Sequence, residues 1–161
     1  MHSMTRGVRL RDATHDDVST FFEHQLDPEA RRMAAFTSKD PSDRDAFMAH
    51  WAKILGDDGV IMRTILFDEQ VVGHVAEFER DGIPEVTYWI AKEYWGKGIA
   101  TQALSALLRD VKVRPLYARV AKDNVGSLRV SEKCGFAKSG QERTFANARG
   151  EEIDEVILKL D

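Results

Sequence analysis

The apolar positions of this chain change period several times, and each change marks a new element. Val8-Arg9-Leu10-Arg11 alternates apolar and polar residues, which predicts a short strand. Thr14 then stands three residues before Asp17, an N-cap with an acidic first turn, and Val18, Phe21, Phe22 and Leu26 recur at helical spacing. Pro28 falls where this helix is expected to stop. A second helix is predicted from Pro41 or Ser42, with Phe47, Met48, Trp51, Ile54 and Leu55 as its stripe and Gly56-Asp57-Asp58-Gly59 as its end.

The middle of the chain reads as strand. Ile61 to Phe67 and Val71 to Phe78 are rich in β-formers and flank Asp68-Glu69-Gln70, a turn of hairpin length. A third run, Glu85 to Ala91, follows Arg80-Asp81-Gly82. Asp81 and Gly82 both tolerate positive φ, so an antiparallel meander is expected here. Helical spacing returns in Ile99, Ala103, Leu104, Leu107, Leu108 and Val111, and Pro115 forbids its continuation. Leu116 to Ala121 reads as a strand, and Ser127 to Lys133 as a short helix closed by Gly135. Phe136 to Thr144 and Glu152 to Leu160 form a last strand pair around Asn147-Ala148-Arg149-Gly150. The order β-α-α-β-β-β-α-β-α-β-β predicts an α/β chain with a mixed sheet. No repeat, low-complexity tract or linker divides the sequence, so residues 1–161 are expected to form one domain.

Composition narrows the function classes. Apolar residues make up 43% and charged residues 31%, a globular balance. A formal charge of −4 offers no basic footprint for nucleic acid. It suits a cationic partner, although solubility explains it equally well. Cys134 is the single cysteine, so no intrachain disulfide can form. No apolar run approaches the roughly 18 residues of a membrane span, and Met1-His2-Ser3-Met4 lacks the apolar stretch of a signal segment. A cytoplasmic enzyme without a membrane partner is the expectation. The five histidines and Cys134 show no metal-ligand spacing, so no metal is expected.

The candidate chemistry lies where a strand runs into the long helix, at Tyr94-Trp95-Gly96-Lys97-Gly98-Ile99-Ala100-Thr101. Small residues at 96, 98 and 100 clear the space where the first helical N–H groups lack partners. Those donors and the helix dipole suit a phosphate or pyrophosphate, and Thr101 adds a hydroxyl. A P-loop is excluded, because Ala91 and Gly98 stand where it needs Gly and Ser or Thr. A dinucleotide fingerprint fails at Thr101, where its third glycine belongs. Taken alone, the pattern is equally a plain strand-to-helix turn.

A second motif extends the first. Asn124-Val125-Gly126-Ser127 opens a helix that runs through Glu132-Lys133-Cys134-Gly135-Phe136. Paired with Gly96-Lys97-Gly98-Ile99-Ala100, it resembles the GNAT acetyltransferase superfamily. Tyr88-Trp89-Ile90, Tyr94-Trp95-Gly96-Lys97-Gly98 and Glu132-Lys133-Cys134-Gly135-Phe136 are similar to its ribosomal-protein-alanine N-acetyltransferase branch. The resemblance spans nearly the whole chain. It implies a GNAT-like domain whose mixed, mostly antiparallel sheet is flanked by helices. Two central strands, Glu85 to Ala91 and Leu116 to Ala121, would splay apart to admit acetyl-CoA.

The resemblance also implies roles for residues. The backbone of Trp89, Ile90 and Ala91 would pair with the pantetheine arm, and an N–H there would polarise the thioester carbonyl. Trp95, Gly96, Lys97, Gly98, Ile99, Ala100 and Thr101 would hold the pyrophosphate. Asn124 and Ser127 would hold or face the far end of pantetheine. Lys133 either reaches a phosphate or is a plain exposed helical lysine. Two departures stand out. Trp95 replaces the usual Arg or Gln, and Ser131 occupies the place of a tyrosine that protonates the leaving thiolate in many members. The ribosomal branch uses a serine at the position of Ser127 instead, a hydrogen-bond donor to developing thiolate.

Glu85 matches a glutamate frequent in this branch and is the candidate base, directly or through water; its alternative is a solvated hairpin-end carboxylate. Glu77 is the reserve. His74 is expected as a packed core histidine and Cys134 as a small buried hydrophobe. Phe36, Phe47 and Trp51 are expected in the core in preference to a substrate groove. The implied reaction is direct attack of an uncharged primary amine, on a protein N-terminus or a small molecule, upon acetyl-CoA. The alternative is a catalytically silent acyl-CoA-binding module.

Overall fold

The computed structural model describes residues 7–161, so the opening Met1-His2-Ser3-Met4 lies outside the described residues. The elements in chain order are β1 (Val8–Asp12), α1 (His15–Gln25), α2 (Pro28–Ala34), α3 (Arg44–Leu55), β2 (Ile61–Phe67), β3 (Gln70–Arg80) and β4 (Ile83–Ile90), then a 3-10 turn at Lys92–Tyr94. They continue with α4 (Ile99–Asp110), β5 (Leu116–Ala121), α5 (Val125–Lys133), β6 (Ala137–Ala146) and β7 (Glu151–Leu160).

The strands form one sheet in the order β1-β2-β3-β4-β5-β7-β6. Every neighbouring pair is antiparallel except β4 and β5, which run parallel and meet at a single register pair, Glu85 opposite Tyr117. Beyond that pair the two strands part. This is the splayed, mostly antiparallel sheet that the resemblance implies. The turn Asp81-Gly82 takes φ of 52° and 78°, the left-handed pair that a tight hairpin requires.

Helices cover both faces. Ile99, Ala103, Leu104 and Leu107 of α4 bury their stripe against Val75, Val86, Ile90, Leu116 and Leu158 of the sheet. On the other face Val18 and Phe21 of α1 pack with Trp51 of α3. None of the described helices is long and apolar enough to cross a membrane.

Helix α1 stops just before Pro28 as expected, but Pro28 has a second role that the spacing did not show. It opens a further helix, α2, whose cap is Asp27: the Asp27 carboxylate accepts from the Ala30 N–H at 2.9 Å. A proline at the first helical position loses no hydrogen bond and brings a helical φ, so Asp27-Pro28 starts a helix as readily as it stops one.

Asp17 locks α1 to the sheet. Its buried carboxylate accepts from the Thr14 N–H at 2.9 Å, the Thr64 hydroxyl at 2.7 Å and both terminal nitrogens of Arg11 at 2.7 and 2.9 Å. Burial works against this charge, but the donors from Arg11, Thr64 and Thr14 outweigh it and hold the carboxyl well below the ordinary range. Gly73 meets a different need. A Cβ there would stand 2.0 Å from the Trp89 carbonyl oxygen, so only glycine lets β3 press this closely on β4.

Candidate active site

The register of β3 and β4 decides which backbone groups are free. The Ala91 N–H donates to the Val72 carbonyl at 2.8 Å, so it points toward β3. In an antiparallel ladder this direction alternates along the strand. The Trp89 amide therefore also faces β3, while those of Tyr88 and Ile90 face the gap between β4 and β5. Of the expected backbone set only Ile90 keeps its N–H for a ligand, and Tyr88 joins it. The Ile90 carbonyl is already engaged, accepting from the Trp95 indole N–H at 2.9 Å.

At the open end of the gap lies the glycine turn. Gly96 and Gly98 both have φ of 77°, and Gly98 is the N-cap of α4. Helices α2, α3 and α5 begin beneath a side-chain acceptor, Asp27, Asp43 and Asn124 in turn, and at the start of α1 the Asp17 carboxylate takes the Thr14 N–H. The start of α4 has neither a capping side chain nor an acidic residue in its first turn. Its free N–H groups and dipole therefore face the cleft uncompensated, as an anion requires.

The start of α5 forms the opposite wall. The Asn124 side chain is engaged at both ends: Oδ1 accepts from the Ser127 N–H at 3.2 Å and Nδ2 donates to the Met33 carbonyl at 3.2 Å. It thus ties α5 to α2. The Ser127 hydroxyl lies 2.7 Å from the Tyr88 phenol oxygen, a bond that crosses from α5 to β4. Burial pushes the Tyr88 phenol above its ordinary pKa, and the bond to Ser127 only partly opposes this. Ser131 is buried at 2% exposure. The Cys134 thiol sits behind the turn, donating to the Thr101 carbonyl at 3.7 Å.

Tyr88, Ile90, the glycine turn, Asn124, Ser127 and Ser131 border one cleft of about 1280 Å³. A single small-molecule pocket holds roughly 300–1,000 Å³, so there is room for two reactants side by side. Every residue expected to hold the cosubstrate lines it except Ala91 and Lys97. Lys133 reaches its edge as an exposed side chain.

The half of the cleft beneath α1 to α3 holds Glu85, His74, Phe36 and Phe47. Glu85 is 3% exposed, not a solvated hairpin end. Its Oε2 takes the Nε of Arg80 at 3.1 Å and the Nε of Arg119 at 3.3 Å. Arg119 also reaches Glu142 at 3.1 Å and Glu155 at 3.3 Å, a network that sequence spacing did not foreshadow. Glu77 does not line the cleft, and burial pushes its carboxyl above the ordinary range. His74 packs edge-on against Phe21 and Trp51, with ring centroids 4.7 and 4.8 Å away. Burial lowers its pKa to about 3, so the ring is neutral near pH 7. Phe36 and Phe47 line the cleft half-buried, whereas Trp51 is core, 5% exposed.

The tip of the β6–β7 hairpin secures this half. Asn147 donates to the Thr37 carbonyl at 2.6 Å, the Ala148 N–H to the Ala35 carbonyl at 3.1 Å, and the Arg149 Nε to the Arg32 carbonyl at 2.7 Å. Arg149 is itself fixed by both oxygens of Asp123, at 2.8 and 2.9 Å.

Residues 8–137 match the family model described as the acetyltransferase (GNAT) domain. The chain belongs to the GNAT acetyltransferases. This GNAT protein is 28% identical over 136 residues to YdaF of Bacillus subtilis (strain 168), provisionally named a ribosomal N-acetyltransferase, covering 78% of this chain and 74% of YdaF. Its fold matches RimL, the ribosomal L7/L12 α-N-protein acetyltransferase solved with coenzyme A, at a TM-score of 0.81 and 18% identity, covering 95% and 93% of the two chains. It also matches MccE, the microcin C7 self-immunity acetyltransferase solved with acetyl-CoA and AMP, at 0.80 and 15% identity, covering 95% and 91%. Membership assigns this GNAT protein the transfer of an acetyl group from acetyl-CoA to an amine.

Proposed function

We propose that this protein acetylates a primary amine by direct attack on acetyl-CoA, with the thioester in the gap between β4 and β5. The observation that carries the reading is the unspent Tyr88 and Ile90 N–H groups along that gap, with the uncapped α4 turn at its mouth. Donors fixed in advance suit an oxygen that gains charge as the carbonyl is attacked. The pyrophosphate rests on the N–H groups around Gly98, and the pantetheine arm runs along β4.

The amine nitrogen attacks the carbonyl carbon, and the C–S bond then breaks. One amine proton passes through water to Glu85, whose Oε1 makes no hydrogen bond among the described residues while Oε2 serves the two arginines. Glu85 lies three residues from Tyr88, about 10 Å along a strand, a span that a water chain bridges. The leaving thiolate departs as the anion, stabilised by a hydrogen bond from the Ser127 hydroxyl, and is protonated by solvent. Tyr88, kept protonated by burial, donates to Ser127 Oγ and leaves that hydroxyl free to turn toward sulfur. Asn124 is a positioning residue here, since it holds the Ser127 backbone and spends no group on the cosubstrate.

The rival is an acyl-CoA-binding module without turnover, favoured by Ser131 in the place of the family's tyrosine. One experiment separates them. Acetyl-CoA at a hundred times its dissociation constant adds about 2.7 kcal/mol to the folded state, a midpoint rise of roughly 5–10 °C for a chain of this size. A panel of amines should then release free thiol from acetyl-CoA. Thermal protection without thiol release selects the silent module, and absence of both removes the cosubstrate from this cleft.

A further inference from the structure

Resting on the acetyl-transfer reading above, we propose that the acceptor is a primary amine carried on a flat, uncharged aromatic body. The β3–β4 register sets His74 opposite Trp89 and Phe78 opposite Glu85, so these four side chains share the sheet face beneath α1 and α3. His74, Phe78 and Trp89 are half-buried and border the cleft, and Phe36 and Phe47 border it from the helix side. Five flat side chains thus present partly open surface to one space. Phe21 and Trp51 stand behind them, 5.0 Å apart and almost fully buried, which keeps the wall rigid. Trp89 sits between the two residues whose N–H groups face the gap, so the wall begins beside the reacting carbonyl.

Charge separates this acceptor class from the alternatives. A polycation needs uncompensated carboxylates, and of the four bordering this half the two buried ones, Glu85 and Glu155, are charge-matched by Arg80 and Arg119, while Asp40 and Asp43 are exposed to solvent. Asp43 caps α3 through the Ala46 N–H at 3.0 Å, and Asp40 takes the Ser42 hydroxyl at 2.6 Å. Glu85 takes Arg80 and Arg119, and Glu155 takes Arg119 and Thr144. Two uncharged polar atoms of the wall, Nδ1 of His74 and Nε1 of Trp89, make no hydrogen bond among the described residues. An aromatic amine lays its ring on this wall and needs no second charge matched. An acceptor carboxylate would meet arginines that are already paired.

The test is kcat/KM for thiol release at saturating acetyl-CoA with 2-phenylethylamine, tyramine, spermidine and an alanine-initiated peptide. The two arylalkylamines should exceed spermidine and the peptide by at least about tenfold, the discrimination that an apolar pocket supplies. Phe47→Ala should raise KM for 2-phenylethylamine about tenfold, leaving acetyl-CoA affinity by calorimetry unchanged. Equal or faster turnover of spermidine or the peptide would overturn the proposal, as would arylalkylamines that release no thiol from an enzyme that binds acetyl-CoA. Failure to bind acetyl-CoA at all would instead sink the transfer reading beneath it. Should Phe47→Ala not fold, the wild-type panel alone decides.

Discussion

Glu85→Gln is expected to lower kcat/KM by about 10²–10⁴-fold, the usual loss when a general base is removed. Glutamine matches the volume of Glu85 and still offers Arg80 and Arg119 an amide oxygen, but it takes no proton. The fold should tolerate the change, because Arg119 keeps Glu142 and Glu155 as partners at 3.1 and 3.3 Å. Lost activity should partly return as pH rises and solvent supplies more free amine. Acetyl-CoA affinity should hold, since Glu85 points to the face opposite the α4 turn. Glu77→Gln is the control, because Glu77 lies outside the cleft. The measurement is kcat/KM against pH for the three proteins. A wild-type profile for Glu85→Gln would assign deprotonation to bulk water and leave the enzyme to position the amine.

Gly73→Ala is expected to destabilise the protein by about 3 kcal/mol, the upper part of the range for overpacking. The added Cβ would fall 2.0 Å from the Trp89 carbonyl oxygen and 3.1 Å from Ile90 Cα. Backbone cannot swing aside as a flexible side chain does, so β4 must move. The same shift displaces the Ile90 N–H, and acetyl-CoA affinity should fall along with the denaturation midpoint. A urea titration and a calorimetric titration check the two arms. A wild-type midpoint would mean that β3 and β4 separate without cost.

Most of the architecture was legible because its signals were local. Asp81-Gly82 announced a hairpin through positive φ, and the period shift after Gly98 announced α4. Pro28 marked the end of α1 but concealed α2, because Asp-Pro stops one helix and caps the next with the same two residues. The uncapped start of α4 was legible in Gly96 and Gly98, both of which take positive φ there. Other parts depend on register, which a single sequence does not reveal. The alternation that turns Ile90 toward the gap also turns Trp89 and Ala91 toward β3, and it brings Tyr88 into the site. The Asn124 bond to the Met33 carbonyl was not legible, because the two residues lie 91 apart in the chain. Arg119 was hidden for the same reason: its three glutamates come from β4, β6 and β7.

The central claim is that acetyl-CoA lies in the β4–β5 gap with its pyrophosphate on the turn at Gly98. Gly98 has φ of 77°, and a Cβ there would meet nothing nearer than Gln102 Nε2 at 4.0 Å. Valine is therefore refused by backbone conformation, not by crowding: a β-branched residue resists positive φ, and the turn must reshape around it. The first α4 N–H groups would lose their convergence while the packed core of α4 stays in place. Calorimetric titration of acetyl-CoA into wild type and Gly98→Val is the direct measurement. The account predicts at least about a tenfold weaker Kd for Gly98→Val, some 1.4 kcal/mol or more, with the fold intact by circular dichroism. An unchanged Kd would contradict it and move the phosphates to another part of the molecule.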